Sequence, residues 1–166
     1  EAMRERGVRG IVYQEVFGPA PVACDEVLEE LKARVAALQR RQTPLVSVGV
    51  SPHAPYTVSD RLFAAVARYA SQAGLPMAIH IAESEAEQQL VVEGRGEFAD
   101  ALIKRGIRVE GRARSPIQLL RGLRVLDAQP LLIHCVHADA LDVHANAASG
   151  GSVAHCPESN SKLAHG

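Results

Sequence analysis

Five short apolar runs recur along the chain, and a helical pattern follows each of the first four. The runs are continuously apolar instead of alternating, which is typical of strands that are buried on both faces of a parallel sheet. Regular alternation with helices implies right-handed crossovers between the strands. The sequence therefore predicts an α/β fold in the order βαβαβαβαβ, with strands over residues 8–17, 45–50, 77–81, 131–135 and 152–155.

Helical periodicity fills the intervals between the runs. The clearest case is residues 60–73, where Ser59 can cap the first turn and Gly74 can end the last one. The remaining helices are predicted over residues 25–38, 85–92, 97–104, 115–121 and 139–148. Each crossover therefore contains at least one helix, as parallel strands require.

Polar side chains stand at the carboxyl ends of most of the predicted strands. A doubly wound sheet would concentrate them at one switch point, whereas a (β/α)8 barrel builds its site from many strand ends. The chain also has no glycine-rich phosphate loop of the usual spacings. These observations favour the TIM-type barrel over the doubly wound sheet. The polar residues at the predicted strand ends are Glu15, His53, His80, Glu83, His134 and His155.

Five βα units are fewer than the eight of a complete barrel, which typically needs about 250 residues. We therefore expect residues 1–166 to be one segment of a larger catalytic barrel.

Composition excludes several classes of partner. A net charge of −1 and a pI near 6.7 give no basic surface for nucleic acid or anionic membranes. No apolar run approaches 18 residues, and the N-terminus lacks the apolar core of a signal peptide. Three cysteines without a CxxC pair argue against a disulfide framework. We expect a cytoplasmic protein with no membrane or nucleic-acid partner.

The residues at the ends of the third and fourth strands point to a metal-assisted hydrolase. Zinc in a hydrolytic site takes nitrogen and oxygen ligands and keeps one position open for water. His80 and His134 follow adjacent strands, so both can approach one ion. Glu83 lies three residues beyond His80 and could carry a proton to and from that water.

Plainer explanations of the same residues remain open. The two histidines could be buried and paired with the backbone, and Glu83 could be a helix N-terminal acid favoured by the dipole. His53 could orient a substrate carbonyl or anion, or could stabilise the turn at 51–52. Ser159 and Asn160 are typical of a functional loop at a strand exit, and equally of a polar turn after proline.

Taken together, four motifs resemble the amidohydrolase superfamily. The resemblance is to the branch that holds S-adenosylhomocysteine and aminofutalosine deaminases, guanine and cytosine deaminases, and triazine chlorohydrolases. The motifs occur in the family's order and extend over almost the whole chain. They are Ser51-Pro52-His53-Ala54-Pro55-Tyr56, His80-Ile81-Ala82-Glu83-Ser84, His134-Cys135-Val136-His137 and His155-Cys156-Pro157-Glu158-Ser159-Asn160-Ser161-Lys162-Leu163.

The resemblance implies strands three to seven of a distorted (β/α)8 barrel and one divalent metal ion, Zn²⁺ or alternatively Fe²⁺. It assigns His80 and His134 as metal ligands and Glu83 as the proton shuttle. It makes His53 a residue that contacts substrate. Ser159 and Asn160 match the substrate-binding loop that lines the pocket.

The reaction implied by the resemblance is attack of metal-bound hydroxide on an aminated ring carbon, with Glu83 protonating the departing ammonia. The substrate would be a small heterocycle such as a purine or an adenosine-derived nucleoside, and the enzyme could be a homo-oligomer. The alternatives are dechlorination, another C–N hydrolysis, or an inactive truncated fragment. The family's His-x-His pair after strand one and its aspartate after strand eight are absent from residues 1–166. The isolated segment is therefore expected to bind metal weakly and not to turn over.

Overall fold

A computed structural model describes residues 2–165, so Glu1 and Gly166, the ends of the predicted domain, lie outside the described residues. The predicted order of elements is confirmed, and every strand pairing is parallel. The five strands are β1 (Gly10–Val16), β2 (Val46–Pro52), β3 (Ala78–Ile81), β4 (Leu131–His134) and β5 (Ser152–Ala154).

The strands lie side by side in chain order. Two ladders, β1–β2 and β3–β4–β5, are joined by a parallel bridge between Val50 and Met77. At this junction Val50 N donates to Pro76 O at 2.9 Å, and His80 N donates to His53 O at 3.0 Å. The order contains no reversal, so no switch point of the doubly wound type is present among the described strands.

Helices cover the sheet between successive strands, and their bounds follow local signals. Ser59 Oγ accepts a hydrogen bond from Leu62 N at 3.3 Å, and Gly74 ends the helix in the left-handed conformation with φ of 61°. Within residues 2–165, no helix combines the length and apolar character needed to cross a bilayer. The helices are α1 (Ala2–Glu5), α2 (Cys24–Gln39), α3 (Asp60–Ala73), α4 (Glu85–Gln88), α5 (Glu97–Lys104), α6 (Pro116–Gly122), α7 (Ala140–Ser149) and α8 (Pro157–Lys162), with a π-helical turn at Gln89–Glu93 and 3₁₀ turns at Pro21–Ala23 and Leu126–Ala128.

The core lies between the sheet and the helices that cover it. Phe63 and Leu62 of α3 and Leu31 of α2 are fully or almost fully buried, in one cluster with apolar residues of β2 and β3. Each such side chain contributes about 1.5–3 kcal/mol through burial. The two outer strands are less covered, since Val12 on β1 is 40% exposed and Val153 on β5 is 53% exposed. The middle of the sheet is therefore the most firmly packed part of the molecule.

One expectation was wrong. Residues 157–162, for which the sequence suggested a loop or a polar turn, form the helix α8. Pro157 is the first helical residue, where its fixed φ favours the helix and its missing N–H costs nothing. Asn160 is therefore placed on a helix, which fixes the direction of its side chain.

Candidate active site

Three histidines form a row along the carboxyl edge of the sheet. His53 directly follows β2, His80 is one of the last two residues of β3, and His134 ends β4. The carboxyl ends of these strands meet at this edge because the strands are parallel. The ring centroids of His53 and His80 are 4.9 Å apart, and those of His80 and His134 are 5.7 Å apart. The structure thus brings together three of the four strand-end histidines singled out in the sequence, whereas His155 is exposed.

Glu83 lies beside the last histidine of the row. Its Oε1 is 3.3 Å from His134 Nε2, and both side chains are largely buried. His80 Nδ1 is also buried and has no hydrogen-bond partner among the described residues. A buried ring nitrogen without a partner is costly unless a proton donor or a cation completes it.

Asn160 fixes the orientation of His134. Its Oδ1 lies 2.8 Å from His134 Nδ1, and the side chain is only 1% exposed. An amide oxygen can only accept, so the ring proton is assigned to Nδ1 and the lone pair to Nε2. This leaves the lone pair on Nε2, the atom 3.3 Å from Glu83 Oε1, for a metal ion, as supporting residues do for histidine ligands in metalloproteins. Asn160 is therefore hydrogen-bonded directly to His134, the predicted metal ligand.

Glu87 holds the backbone that carries Glu83. Its Oε1 accepts from Ala82 N at 2.9 Å, and its Oε2 accepts from Glu83 N at 3.0 Å. Ala82 takes a left-handed φ of 51°, which turns the chain away from β3. Glu87 is fully buried, and burial raises its pKa to about 7, although the two backbone N–H groups act in the opposite direction.

His53 is oriented by its neighbour Thr57. His53 Nδ1 is 2.8 Å from Thr57 Oγ1, and this hydroxyl donates to Ala54 O at 3.2 Å. The hydroxyl proton is used by Ala54, so His53 Nδ1–H donates and Nε2 keeps its lone pair. Burial lowers the pKa of His53, and nearby His80 lowers it further. His53 is therefore a neutral ring that presents an acceptor.

Aromatic rings extend from the histidine row. Phe17 and His53 have ring centroids 5.0 Å apart, and Tyr56 meets His53 edge-on at 5.7 Å. Tyr56 in turn stacks on Phe98 at 4.2 Å. Burial raises the pKa of Tyr56 to about 12, so its hydroxyl stays protonated. These faces can stack on a planar heterocycle.

The backbone at the end of β4 is strained. His134 has φ of 76° and Cys135 has φ of 54°, both in the left-handed region that side chains rarely adopt. Cys135 N donates to Ile81 O at 3.1 Å, which ties this turn to the end of β3. Such conformations cost about 1–3 kcal/mol each and cluster at functional sites.

Glu15 is a polar strand-end residue to which the sequence assigned no role. Among residues 2–165, Glu15, His53 and His80 are the one set of three metal-ligating side chains whose donor atoms all lie within 4.8 Å of one another. His80, His134 and Glu83 together do not meet that spacing.

The sequence also missed Thr57 and Glu87. A carboxylate four residues after Glu83, at the start of a predicted helix, was the available signal for Glu87. Ser159 is exposed on α8, and no described contact links it to the histidine row.

Comparison with known proteins identifies the family of the chain. The model of the amidohydrolase family matches residues 1–166. The chain is 35% identical over 163 residues to the aminodeoxyfutalosine deaminase of Deinococcus radiodurans, covering 93% of this chain and 39% of that protein.

Solved structures of deaminases have a similar fold. An adenosine deaminase from Xanthomonas campestris with bound zinc superposes with a TM-score of 0.72 at 31% identity, over 99% of this chain and 34% of that one. The aminofutalosine deaminase of Helicobacter pylori superposes with a TM-score of 0.81 over 96% of this chain and 40% of that one. Its 18% identity supports the fold alone. The chain spans less than half the length of each of these relatives.

Proposed function

The chain belongs to the amidohydrolase family, and from that premise we propose that it forms part of a metal-dependent deaminase for aminated heterocycles. The family is metal-dependent, and its fold is of the TIM-barrel type. The observation that carries the proposal is the contact between Glu83 and His134 at the end of a row of histidines.

The residues present fit a metal ion. His80 and His134 would hold it. His80 has a buried ring nitrogen without a partner among the described residues, and Asn160 orients His134 so that the Nε2 lone pair faces the side of Glu83. The donor set and the zinc-bound relative favour a single Zn²⁺, with Fe²⁺ as the alternative. When bound, such an ion supplies Lewis acidity and lowers the pKa of water toward about 7.

Proton transfer would fall to Glu83. Its Oε1 would take a proton from the attacking water and deliver it to the departing nitrogen as the C–N bond breaks and the C–O bond forms. The carboxylate is held for this task, since Glu87 fixes the backbone N–H of Glu83 itself. The products are then the oxygenated ring and ammonia.

Substrate binding would involve His53 and the aromatic rings beside it. Its Nε2 can accept a hydrogen bond from an amino N–H or a sugar hydroxyl, and the half-buried Tyr56 can donate from its hydroxyl to a ring nitrogen. These groups suit a purine or an adenosine-derived nucleoside, and relatives that are 35% and 31% identical to this chain are named deaminases. We retain Ser159 and Asn160 as predicted contributors to the substrate-binding loop, with Asn160 acting through His134.

We propose that β1 to β5 are strands three to seven of the barrel and that residues 1–166 are part of its catalytic domain. Strand order in the sheet and the partial coverage of longer relatives support this numbering. The remaining metal ligands would then come from strands one and eight. The cytoplasmic location and a homo-oligomeric state stay predictions.

The test is ammonia release by the protein in which this chain occurs, purified with zinc and assayed on adenosine, its thioether derivatives and aminated purines. Glu83→Gln should lower the rate by about 10²- to 10⁴-fold. Glu85→Gln, two residues away and exposed on α4, is the matched control and should retain the rate. Absence of ammonia from every aminated heterocycle, or chloride release from a chlorinated ring instead, would contradict deamination.

A further inference from the structure

We propose that Arg112 is a positioning residue for substrate binding, because it holds the turn over residues 54–57 in place. His53 directly precedes this turn and Tyr56 lies within it, so the inference rests on the substrate contacts that the proposed function gives to these two residues. Arg112 itself lies between α5 and α6, 57 residues beyond Pro55.

The guanidinium of Arg112 contacts the turn and the helix that follows it. Its Nη2 donates to Pro55 O at 3.2 Å, and its Nη1 donates to Oδ1 of Asp60, the first residue of α3, at 2.7 Å. The Arg112 side chain is 18% exposed, so salt and solvent screen these contacts less than those of a surface pair. Within residues 2–165, no other donor reaches Pro55 O. One planar group with several donors thus fixes the turn relative to the start of α3.

The backbone of Arg112 is fixed as well. Its N–H donates to Val91 O, in the π-helical turn, at 2.8 Å. Gly111 permits this close approach, since a Cβ at that position would lie 2.5 Å from Val92 O. The Arg112 side chain therefore extends from a backbone that cannot shift easily, which allows it to hold the turn in one position.

Packing alone leaves the turn incompletely supported. A cavity of about 340 Å³ borders Pro55, Leu102, Ile107 and Arg112, and none of the three histidines of the row lines it. Groups that line a cavity lack packing contacts on that side. The hydrogen bond from Arg112 to Pro55 O is therefore the direct restraint on the turn beside this cavity.

Tyr56 is the side chain through which this restraint would reach substrate. It follows Pro55 directly, stacks on Phe98 with ring centroids 4.2 Å apart, and meets His53 edge-on at 5.7 Å. A turn that is already in its bound position loses little freedom when substrate binds, which strengthens binding.

The reacting groups are supported independently of Arg112. Glu83 is held by Glu87, and His134 is held by Asn160. Loss of the Arg112 contacts should therefore raise KM and leave kcat almost unchanged, which is the result of losing binding that is equal in the ground state and the transition state.

The experiment compares variants of the whole protein in which this chain occurs, assayed for ammonia release from the aminated heterocycle on which the wild type acts. Arg112→Gln should raise KM by roughly 3- to 10-fold, which corresponds to one hydrogen bond, with kcat within about twofold. Arg112→Lys keeps the charge but cannot bind Pro55 O and Asp60 in the same planar geometry, so it should also raise KM. Arg108→Gln, on the same segment with a side chain that is 89% exposed, is the matched control and should retain both constants.

A double-mutant cycle tests whether Arg112 acts through Tyr56. Arg112→Gln should raise KM much less in a Tyr56→Ala background than in the wild type, because both changes remove the same contact with substrate. Fully multiplicative effects of the two changes would overturn the proposal.

The position of Tyr56 can also be followed by NMR without substrate, in protein made with isotope-labelled tyrosine. The Tyr56 ring signal, identified by its loss in Tyr56→Phe, should move in Arg112→Gln and stay in place in Arg108→Gln. Circular dichroism checks the fold of each variant, and Arg112→Lys gives the same comparison if Arg112→Gln does not fold. An inactive wild type would contradict the proposed function, and the Tyr56 signal would still decide whether Arg112 holds the turn. An unchanged Tyr56 signal, a loss of kcat at unchanged KM, or wild-type constants in Arg112→Lys would overturn the proposal.

Discussion

The carboxyl ends of β3 and β4 differ in how a site residue is held in place. Each must hold one side chain in place at the edge of the sheet. After β3, Glu83 is held by Glu87, four residues further along the same segment. After β4, His134 is held by Asn160, which is 26 residues away on α8. One support is local and the other crosses to a different strand's exit.

Because of this difference, loss of the two supports should disturb different parts of the site. Loss of the local support should disturb the backbone, because Glu87 accepts from the N–H groups of Ala82 and Glu83. Loss of the distant support should disturb a ring. Among the described residues, the Asn160 side chain makes its one hydrogen bond to the His134 ring. Variants at the two positions can therefore test the comparison directly.

Glu87→Ala should have the largest effect. It leaves two buried backbone N–H groups without acceptors, at about 1–3 kcal/mol each, partly offset by removing a buried carboxyl group. We expect a loss of about 2–4 kcal/mol in the free energy of unfolding, measured with urea. Glu85→Ala, exposed on the same helix, is the control and should change stability little. Equal stability of the two variants would mean that Glu87 does not support this turn.

Stability should also depend on pH through Glu87. Its pKa rises from 4.5 to about 7 on folding, so the folded state holds more protons than the unfolded state between these values. The contribution is therefore fully present below pH 4.5 and is lost as pH rises through 7. Subtracting the unfolding profile of Glu87→Gln from that of wild type should reveal a fall of up to about 3 kcal/mol. Parallel profiles would exclude this source.

Asn160→Leu should have an intermediate effect confined to one ring. It leaves the buried His134 Nδ1–H without an acceptor, which costs about 1–3 kcal/mol. The nitrogen shifts of His134 should report a mixture of tautomers in place of the Nδ1–H form. Asn160→Asp keeps an acceptor at the same position and should retain the tautomer. If both variants give the wild-type shifts, another group must orient the ring.

Thr57→Val should have the smallest effect. The change keeps the shape of the side chain but removes the hydroxyl that accepts from His53 Nδ1. The contact is only half-buried, so a loss of about 0.5–1 kcal/mol is expected. The tautomer of His53, read from its nitrogen shifts, should change while that of His134 does not. A change at both rings would show that the two supports are coupled.

The elements and their order could be predicted because their signals are local. Residues 60–73 form α3 as expected, since Ser59 and Gly74 mark its two ends within a few residues. The helix α8 was missed because a short polar stretch after Pro157 fits a turn as well as a helix. The left-handed residues at 134–135 carry no sequence signal, since neither is glycine.

The site was predictable only in part, because some of its contacts join residues that are far apart in the sequence. Histidines at strand ends are visible in sequence, and parallel strands bring their ends together. The support of Glu83 by Glu87 could have been found from their spacing. The contact between Asn160 and His134 requires the path of the chain through β5 and α8, which no local pattern gives.

The order of the strands also determines when each part of the sheet can form during synthesis. Each strand pairs with the one made just before it, so the sheet can extend in the direction of synthesis. Asn160 follows His134 by 26 residues, which at roughly 5–20 residues per second is about one to five seconds of synthesis. During that interval His134 exists without the amide that selects its tautomer. The ring on which metal binding is proposed to depend is thus oriented only after β5 and α8 have been made.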